Sequence, residues 1–127
     1  MKILILLLAA VLLLTGCAQA EGSTGASYES ITAQQAKALM DGSENCIILD
    51  TRTQSEYDAG HIPGAIVIPH DEILQKAETM LPDKDQLILV YCRSGRRSKL
   101  AAEDLVKLGY TNVKEFGGII DWPYEVE

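Results

Sequence analysis

An apolar run, Leu87-Ile88-Leu89-Val90, leads straight into Tyr91-Cys92-Arg93-Ser94-Gly95-Arg96-Arg97-Ser98, and a helical pattern begins at once behind it. Ala101, Leu105 and Leu108 fall at i, i+4 and i+7, with Gly109 placed to cap the helix C-terminus. A buried strand, a tight turn and an amphipathic helix in immediate succession point to a layered α/β unit. One cysteine lies on that turn, and three arginines, Arg93, Arg96 and Arg97, occupy the next five positions. Helix N-termini present unpaired N–H groups and a partial positive charge, and turn amides form anion-binding nests. Both effects, joined by guanidinium groups, lower a thiol pKa and attract anions. These are the ingredients of a reactive thiolate that handles small oxyanions. A merely structural cysteine would not account for the arginines.

The chain has 127 residues, room for one domain. Its start reads as something else. Met1-Lys2 carries one positive charge and residues 3–14 are unbroken apolar. That stretch falls short of the roughly 20 apolar residues that span a bilayer and fits the h-region of a secretory signal. Leu14-Thr15-Gly16-Cys17 then resembles the lipobox of bacterial lipoproteins, which are cut before the cysteine and diacylated on its sulfur. The competing reading is an ordinary signal peptide cut near Ala18-Gln19-Ala20, with Cys17 discarded. The favoured division is a lipoprotein signal at 1–16, a lipidated Cys17 with a flexible tether at 17–27, and a folded domain at 28–127. A coil of about ten small polar residues reaches roughly 17 Å.

Eighteen Asp and Glu residues against eleven Lys and Arg give a net charge of −7, which becomes −8 once Lys2 is removed. An acidic domain without a basic run argues against nucleic acid as a partner. The arginines around Cys92 are thus a local positive spot on a negative body. An exported protein could pair Cys46 with Cys92. Cys46, however, opens Cys46-Ile47-Ile48-Leu49-Asp50, whereas Cys92 closes its strand. In parallel strands the two thiols stand more than about 10 Å apart, beyond the disulfide limit of about 7 Å between Cα atoms. Both are therefore expected free, with Cys46 a small buried apolar residue.

The remaining elements follow from pattern. Thr32-Ala33-Gln34-Gln35 fits a capping box ahead of a helix that ends at Asp41-Gly42. Strands are expected at 46–50, 65–68, 87–91 and 113–116, with helices at 54–59, closed by Gly60, and at 71–77. Strands alternating with helices indicate a parallel α/β sheet, in which ligands bind beyond the carboxyl ends of strands. Cys92 stands at one such end.

Four segments together resemble single-domain rhodaneses, the thiosulfate sulfurtransferases: Leu49-Asp50-Thr51-Arg52 with Glu56-Tyr57; Gly60-His61-Ile62-Pro63-Gly64-Ala65; the Cys92 loop through Ser98; and Gly117-Gly118-Ile119 with Trp122. The resemblance spans about residues 28–127. It implies an α/β domain with a mostly parallel five-stranded sheet flanked by helices. It implies that Cys92 takes a sulfane sulfur from a small anionic donor such as thiosulfate, becomes a persulfide and passes the sulfur to a thiophilic acceptor. No cofactor is implied beyond that covalent persulfide, and a monomer is expected. A thiolate attacks sulfur better than a thiol does, and two successive displacements constitute covalent catalysis. A non-catalytic persulfide carrier is the main alternative. Related cysteine phosphatases and arsenate reductases use Cys-x5-Arg; here Arg97 falls at Cys-x4-Arg, a shorter loop suited to a single sulfur atom.

The expected binding residues are Arg93, Ser94, Gly95, Arg96, Arg97 and Ser98, with Arg97 the foremost anion contact and Ser94 and Gly95 shaping the backbone. In the family pattern Arg52 is expected to pair with Glu56, while Asp50, at a strand end, is left as a residue that could face the site. His61 is read as a turn residue. His70 is either on the pocket rim or a plain surface histidine. Two isolated histidines and a free thiol make no metal site.

Overall fold

The computed structural model describes residues 27–127. The expected signal segment, Cys17 and nearly all of the tether lie outside the described residues. The elements run β1 (Glu29–Ser30), α1 (Ala33–Gly42), β2 (Ile47–Asp50), α2 (Gln54–Ala59), β3 (Ile66–Val67), a 3-10 turn (His70–Glu72), α3 (Ile73–Met80), β4 (Ile88–Cys92), α4 (Arg96–Lys107), β5 (Val113–Gly118) and a 3-10 turn (Ile119–Asp121). The five strands form one sheet in the order β1-β5-β4-β2-β3, and every pair is parallel. The α/β class and the five-stranded sheet therefore match the expectation.

β4 is buried along its whole length at the centre of this sheet. Its side chains alternate between two cores, as the period of two requires. Ile88 and Val90 join Leu49, Ile68, Ile73, Ala77, Leu105 and Tyr110 under α3 and α4. Leu89 and Tyr91 join Ala36, Ile62, Phe116 and Trp122 under α1. Each such Leu or Ile contributes roughly 1.5–3 kcal/mol through burial. The same alternation carries Cys92 to the α4 side of the strand end.

The local signals account for the helix ends. Thr32 accepts from the Gln35 amide while the Gln35 side chain accepts from the Thr32 amide, closing the capping box. A second capping box, Thr53 with Glu56, starts α2. Gly60 ends α2 as expected. The expected helix at 71–77 divides into a 3-10 turn and α3, which runs on to Met80.

One packing expectation is corrected. Arg52 pairs with Asp50 and leaves Glu56 alone. Its guanidinium donates to Asp50 through Nε (3.0 and 3.1 Å) and through a terminal nitrogen at 2.6 Å. Tyr91 Oη donates to the same carboxylate at 2.8 Å, and the Ile62 amide donates to Tyr91 Oη at 3.1 Å. Asp50 is completely buried and Arg52 nearly so. A buried guanidinium with no partner is costly, so the adjacent, equally buried carboxylate claims it. Asp50 thereby ties β2 to β4 and to the loop before β3, within the core.

Cys46 and Cys92 are both free. Cys46 lies just before β2, half-buried, with its thiol 3.5 Å from the Ser43 carbonyl oxygen. Ile47 pairs with Ile88, at the start of the strand that Cys92 ends, so the two thiols stand at opposite ends of the sheet. His61 serves as a turn residue: Nδ1 lies 2.9 Å from the Tyr57 carbonyl oxygen, and its ring stacks on Tyr57 at 3.8 Å and 6°. His70 is half-buried and begins the first 3-10 turn, its amide bonded to the Thr51 carbonyl at 3.0 Å.

Candidate active site

The loop after β4 is a helix start built around a sulfur. α4 begins at Arg96, and the residue that caps it, Gly95, has φ +104°, a left-handed conformation that glycine adopts without strain. Capping positions ordinarily supply a side-chain oxygen to the amide of the second or third helical residue. Glycine has none to offer. The amide of Gly95 itself is instead taken by Cys92, whose Sγ accepts it at 3.0 Å. Burial alone would push this thiol up; hydrogen bonding to the thiolate by the Ser98 side chain and by the amides of Ser98, Gly95 and Ser94 outweighs it, so the thiol lies below its usual range. The helix N-terminus thus favours the anionic form of the sulfur beside it.

The other wall of the loop is the end of β5. Cys92 is aligned with Gly118, and a Cβ at that position would fall 1.9 Å from the Arg93 carbonyl oxygen. Only a residue without a side chain lets the two backbones approach this closely, which gives the Gly117-Gly118 pair its physical meaning.

The loop residues separate into a buried group and an exposed group. Cys92, Gly95 and Ser98 are buried; Arg93, Ser94 and Arg96 are exposed; Arg97 is half-buried. Cys92 has no accessible surface in this conformation. Arg97 points toward α2. It donates to Glu56 through both terminal nitrogens, at 2.7 and 3.0 Å, in a two-pronged ion pair. The ion pair that pattern suggested for Arg52 is therefore made by Arg97, from across the site. No ion pair involves Arg93 or Arg96 among the described residues, so their charges are left to face solvent.

The Glu56 carboxyl is held at about 2, through hydrogen bonds from Arg97 in the first place. Its ordinary value is 4.5. A depressed carboxyl stabilises the fold above its unfolded pKa, and that contribution disappears as the pH falls through the folded value. Melting temperature should therefore decline between about pH 4.5 and pH 2 as this pair is lost. Glu56→Gln should show a shallower decline over that window when melting is followed against pH. Identical slopes would mean that the pair does nothing for stability.

This geometry has clear counterparts. The Rhodanese-like domain model matches residues 32–123, and the chain belongs to that family. It is 41% identical over 73 residues to the thiosulfate sulfurtransferase PspE of Escherichia coli, covering 58% of this chain and 70% of that protein. It is 35% identical over 102 residues to the putative sulfur carrier protein YrkF of Bacillus subtilis, covering 80% of this chain but only 54% of that longer protein. Among solved structures, a rhodanese with anions from E. coli superposes with a TM-score of 0.61 at 36% identity, covering 65% of this chain and 96% of that one. The chain is thus a rhodanese-like domain with sulfurtransferases among its relatives.

The sequence missed two things here. Arg97 was expected as the foremost anion contact, and its partner Glu56, 41 positions away on another element, was not foreseen. Glu115, buried beneath the loop, drew no notice, although an acid inside the strand Val113-Lys114-Glu115-Phe116, on the opposite face from Lys114, was the available signal.

Proposed function

We propose that this chain is a sulfurtransferase that works through a persulfide on Cys92. The Cys92 thiolate attacks the outer sulfur of thiosulfate. A new S–S bond forms, the old one breaks, and sulfite leaves with the electron pair. A thiophilic nucleophile then attacks the outer sulfur of the persulfide and carries it off, and the Cys92 thiolate returns. Electrons and atoms balance without a cofactor. The observation that carries this reading is the sulfur seated as acceptor at the start of α4, where the same amides can hold a thiolate or a persulfide. Similarity to a thiosulfate sulfurtransferase supports the donor class.

The anion is read by Arg93 and Arg96, because Glu56 already occupies Arg97. The same engagement speaks against phosphatase or arsenate chemistry, in which the loop arginine must be free to fork onto a tetrahedral anion. A charge-assisted contact contributes about 1–3 kcal/mol, so removing both arginines should raise KM for thiosulfate roughly tenfold or more. An uncharged sulfane donor should lose far less. Steady-state kinetics of the Arg93→Ala, Arg96→Ala double variant with both donors checks this, and equal losses would show that these arginines do not read the charge.

A second reading, a persulfide carrier that loads but turns over only with a partner, is favoured by the complete burial of Cys92 and by the likeness to a putative sulfur carrier. Single loading by thiosulfate without multiple turnovers would select it. The setting we propose is extracytoplasmic: a monomeric domain at 28–127, exported and held to a bacterial membrane by a lipid on Cys17. The sequence of residues 1–17 supports it, and mass spectrometry of the membrane-fraction protein for a diacylated N-terminal cysteine tests it.

A further inference from the structure

Glu115 is a buried acid that the sulfur chemistry above leaves unused. It is only 2% exposed and lies where β5 departs from regular pairing. Val90 is aligned with Glu115 and Cys92 with Gly118, so β5 carries one residue more than β4 over this interval. The irregularity brings the Glu115 carboxylate under the loop. Its Oε1 accepts the Gly117 amide at 2.7 Å and the Ser98 hydroxyl at 2.8 Å.

The Ser98 hydroxyl is fully buried and carries a single proton. Glu115 Oε1 is one acceptor for it; the Gly95 carbonyl, 3.0 Å from Ser98 Oγ, is another. The Gly117 carbonyl, at 3.4 Å, is a third. The Cys92 sulfur, which accepts the amide of the same Gly95 at 3.0 Å and receives no bond from the hydroxyl in this conformation, becomes a fourth once it is a thiolate. One proton cannot serve all of these acceptors at once. A bond to a carboxylate is about twice as strong as a neutral one, so Glu115 holds an advantage until the sulfur itself is negative.

We propose that Glu115 is a positioning residue that acts on Cys92 through Ser98: its carboxylate draws the hydroxyl proton away from the sulfur and so sets the fraction of Cys92 present as thiolate. The proton stays on the Ser98 oxygen throughout, and only its acceptor changes. When the sulfur becomes a thiolate or persulfide, the hydroxyl turns toward it and Glu115 keeps the Gly117 amide. Other charges face these groups. Arg97 of α4, held by Glu56 of α2, faces both Cys92 and Asp50 at the end of β2. Tyr28, beside β1, faces both Glu115 and Glu103 of α4. Lys114, next along β5, is engaged by Glu29.

The consequence for turnover rests on the sulfurtransferase reading, whereas the titration of Cys92 does not. The test is the pH dependence of Cys92 alkylation by iodoacetamide in the full chain, read from the mass of the peptide that carries Cys92. The midpoint of that curve reports ionisation whatever the accessibility of the sulfur. Glu115→Gln keeps an oxygen for Gly117 and removes the charge, so the midpoint should fall by about half a pH unit or more. Ser98→Ala should raise it. In the Ser98→Ala background, Glu115→Gln should shift it by less than half as much. An unchanged or raised midpoint in folded Glu115→Gln overturns the proposal. So does an equal shift with and without the Ser98 hydroxyl, which would show charge acting directly. If Glu115→Gln does not fold, an unmoved midpoint in Ser98→Ala overturns it alone. Absence of sulfur loading on Cys92 would defeat the functional reading and leave this titration to decide its own question.

Discussion

Cys92→Ser is expected to lower sulfur transfer from thiosulfate by at least about a thousandfold and to leave the fold standing. A serine oxygen can still accept the Gly95 amide that Sγ accepts at 3.0 Å, so the turn before α4 keeps that bond. What disappears is the anion. The loop lowers the thiol from its ordinary value and so favours the thiolate, but no base on the loop can deprotonate a hydroxyl. Cys46→Ser should retain transfer, because Cys46 lies at the opposite end of the sheet and burial pushes its thiol up, away from reactivity. Rates of sulfite release for the two variants, with circular dichroism as a check on folding, distinguish them. Loss of transfer in a folded Cys46→Ser protein would reverse the assignment of the thiols.

Asp50→Ala should carry the largest stability cost of any single polar substitution in the domain. Asp50 accepts the Arg52 amide, two of its guanidinium nitrogens and the Tyr91 hydroxyl, all in the core. Removing it leaves Arg52 with Gly60 O at 2.7 Å and little else, and leaves Tyr91 Oη without its acceptor. Breaking a buried pair in this way costs about 3–5 kcal/mol, a large share of the roughly 5–15 kcal/mol that holds a domain together. For about 100 residues the melting temperature should drop by about 12 °C or more. Thermal melting of Asp50→Ala and Asp50→Asn checks this. Asn keeps the shape and part of the hydrogen bonding, so it should fall between parent and Ala. A loss below about 1 kcal/mol in Asp50→Ala would show that water or a rearranged Arg52 replaces the carboxylate.

Local chemistry was legible in the sequence and long-range partnership was not. Thr32 with Gln35, Gly60 after α2, and the strand-turn-helix around Cys92 are encoded within a few neighbouring residues, and the structure forms each of them where the pattern puts it. Ile88 to Tyr91 read as a buried strand because parallel central strands are apolar on both faces. β1, at Glu29–Ser30, has only two residues and no periodicity to detect, so the family likeness implied a fifth strand without locating it, and the structure puts it beside β5. The ion pairs were harder still. Arg52, Glu56, Arg97 and Asp50 offer two carboxylates to two guanidinium groups, and the family resemblance implied Arg52 with Glu56. Burial decides otherwise: the fully buried Asp50 takes the guanidinium that is itself in the core, and the half-exposed Glu56 takes the half-exposed Arg97. The site follows the same rule. Cys92, the proposed nucleophile, stood out in the sequence; which loop arginine is tied up in an ion pair depended on a helix 41 positions upstream.

The most direct measurement is the intact mass of the protein after incubation with thiosulfate and removal of excess donor, followed by mapping of any added mass. The account predicts a gain of one sulfur atom, located on the peptide containing Cys92, lost on addition of a thiophilic acceptor and absent from Cys92→Ser. An unchanged mass for the folded parent protein, or a sulfur found on Cys46 with Cys92 unmodified, would contradict it.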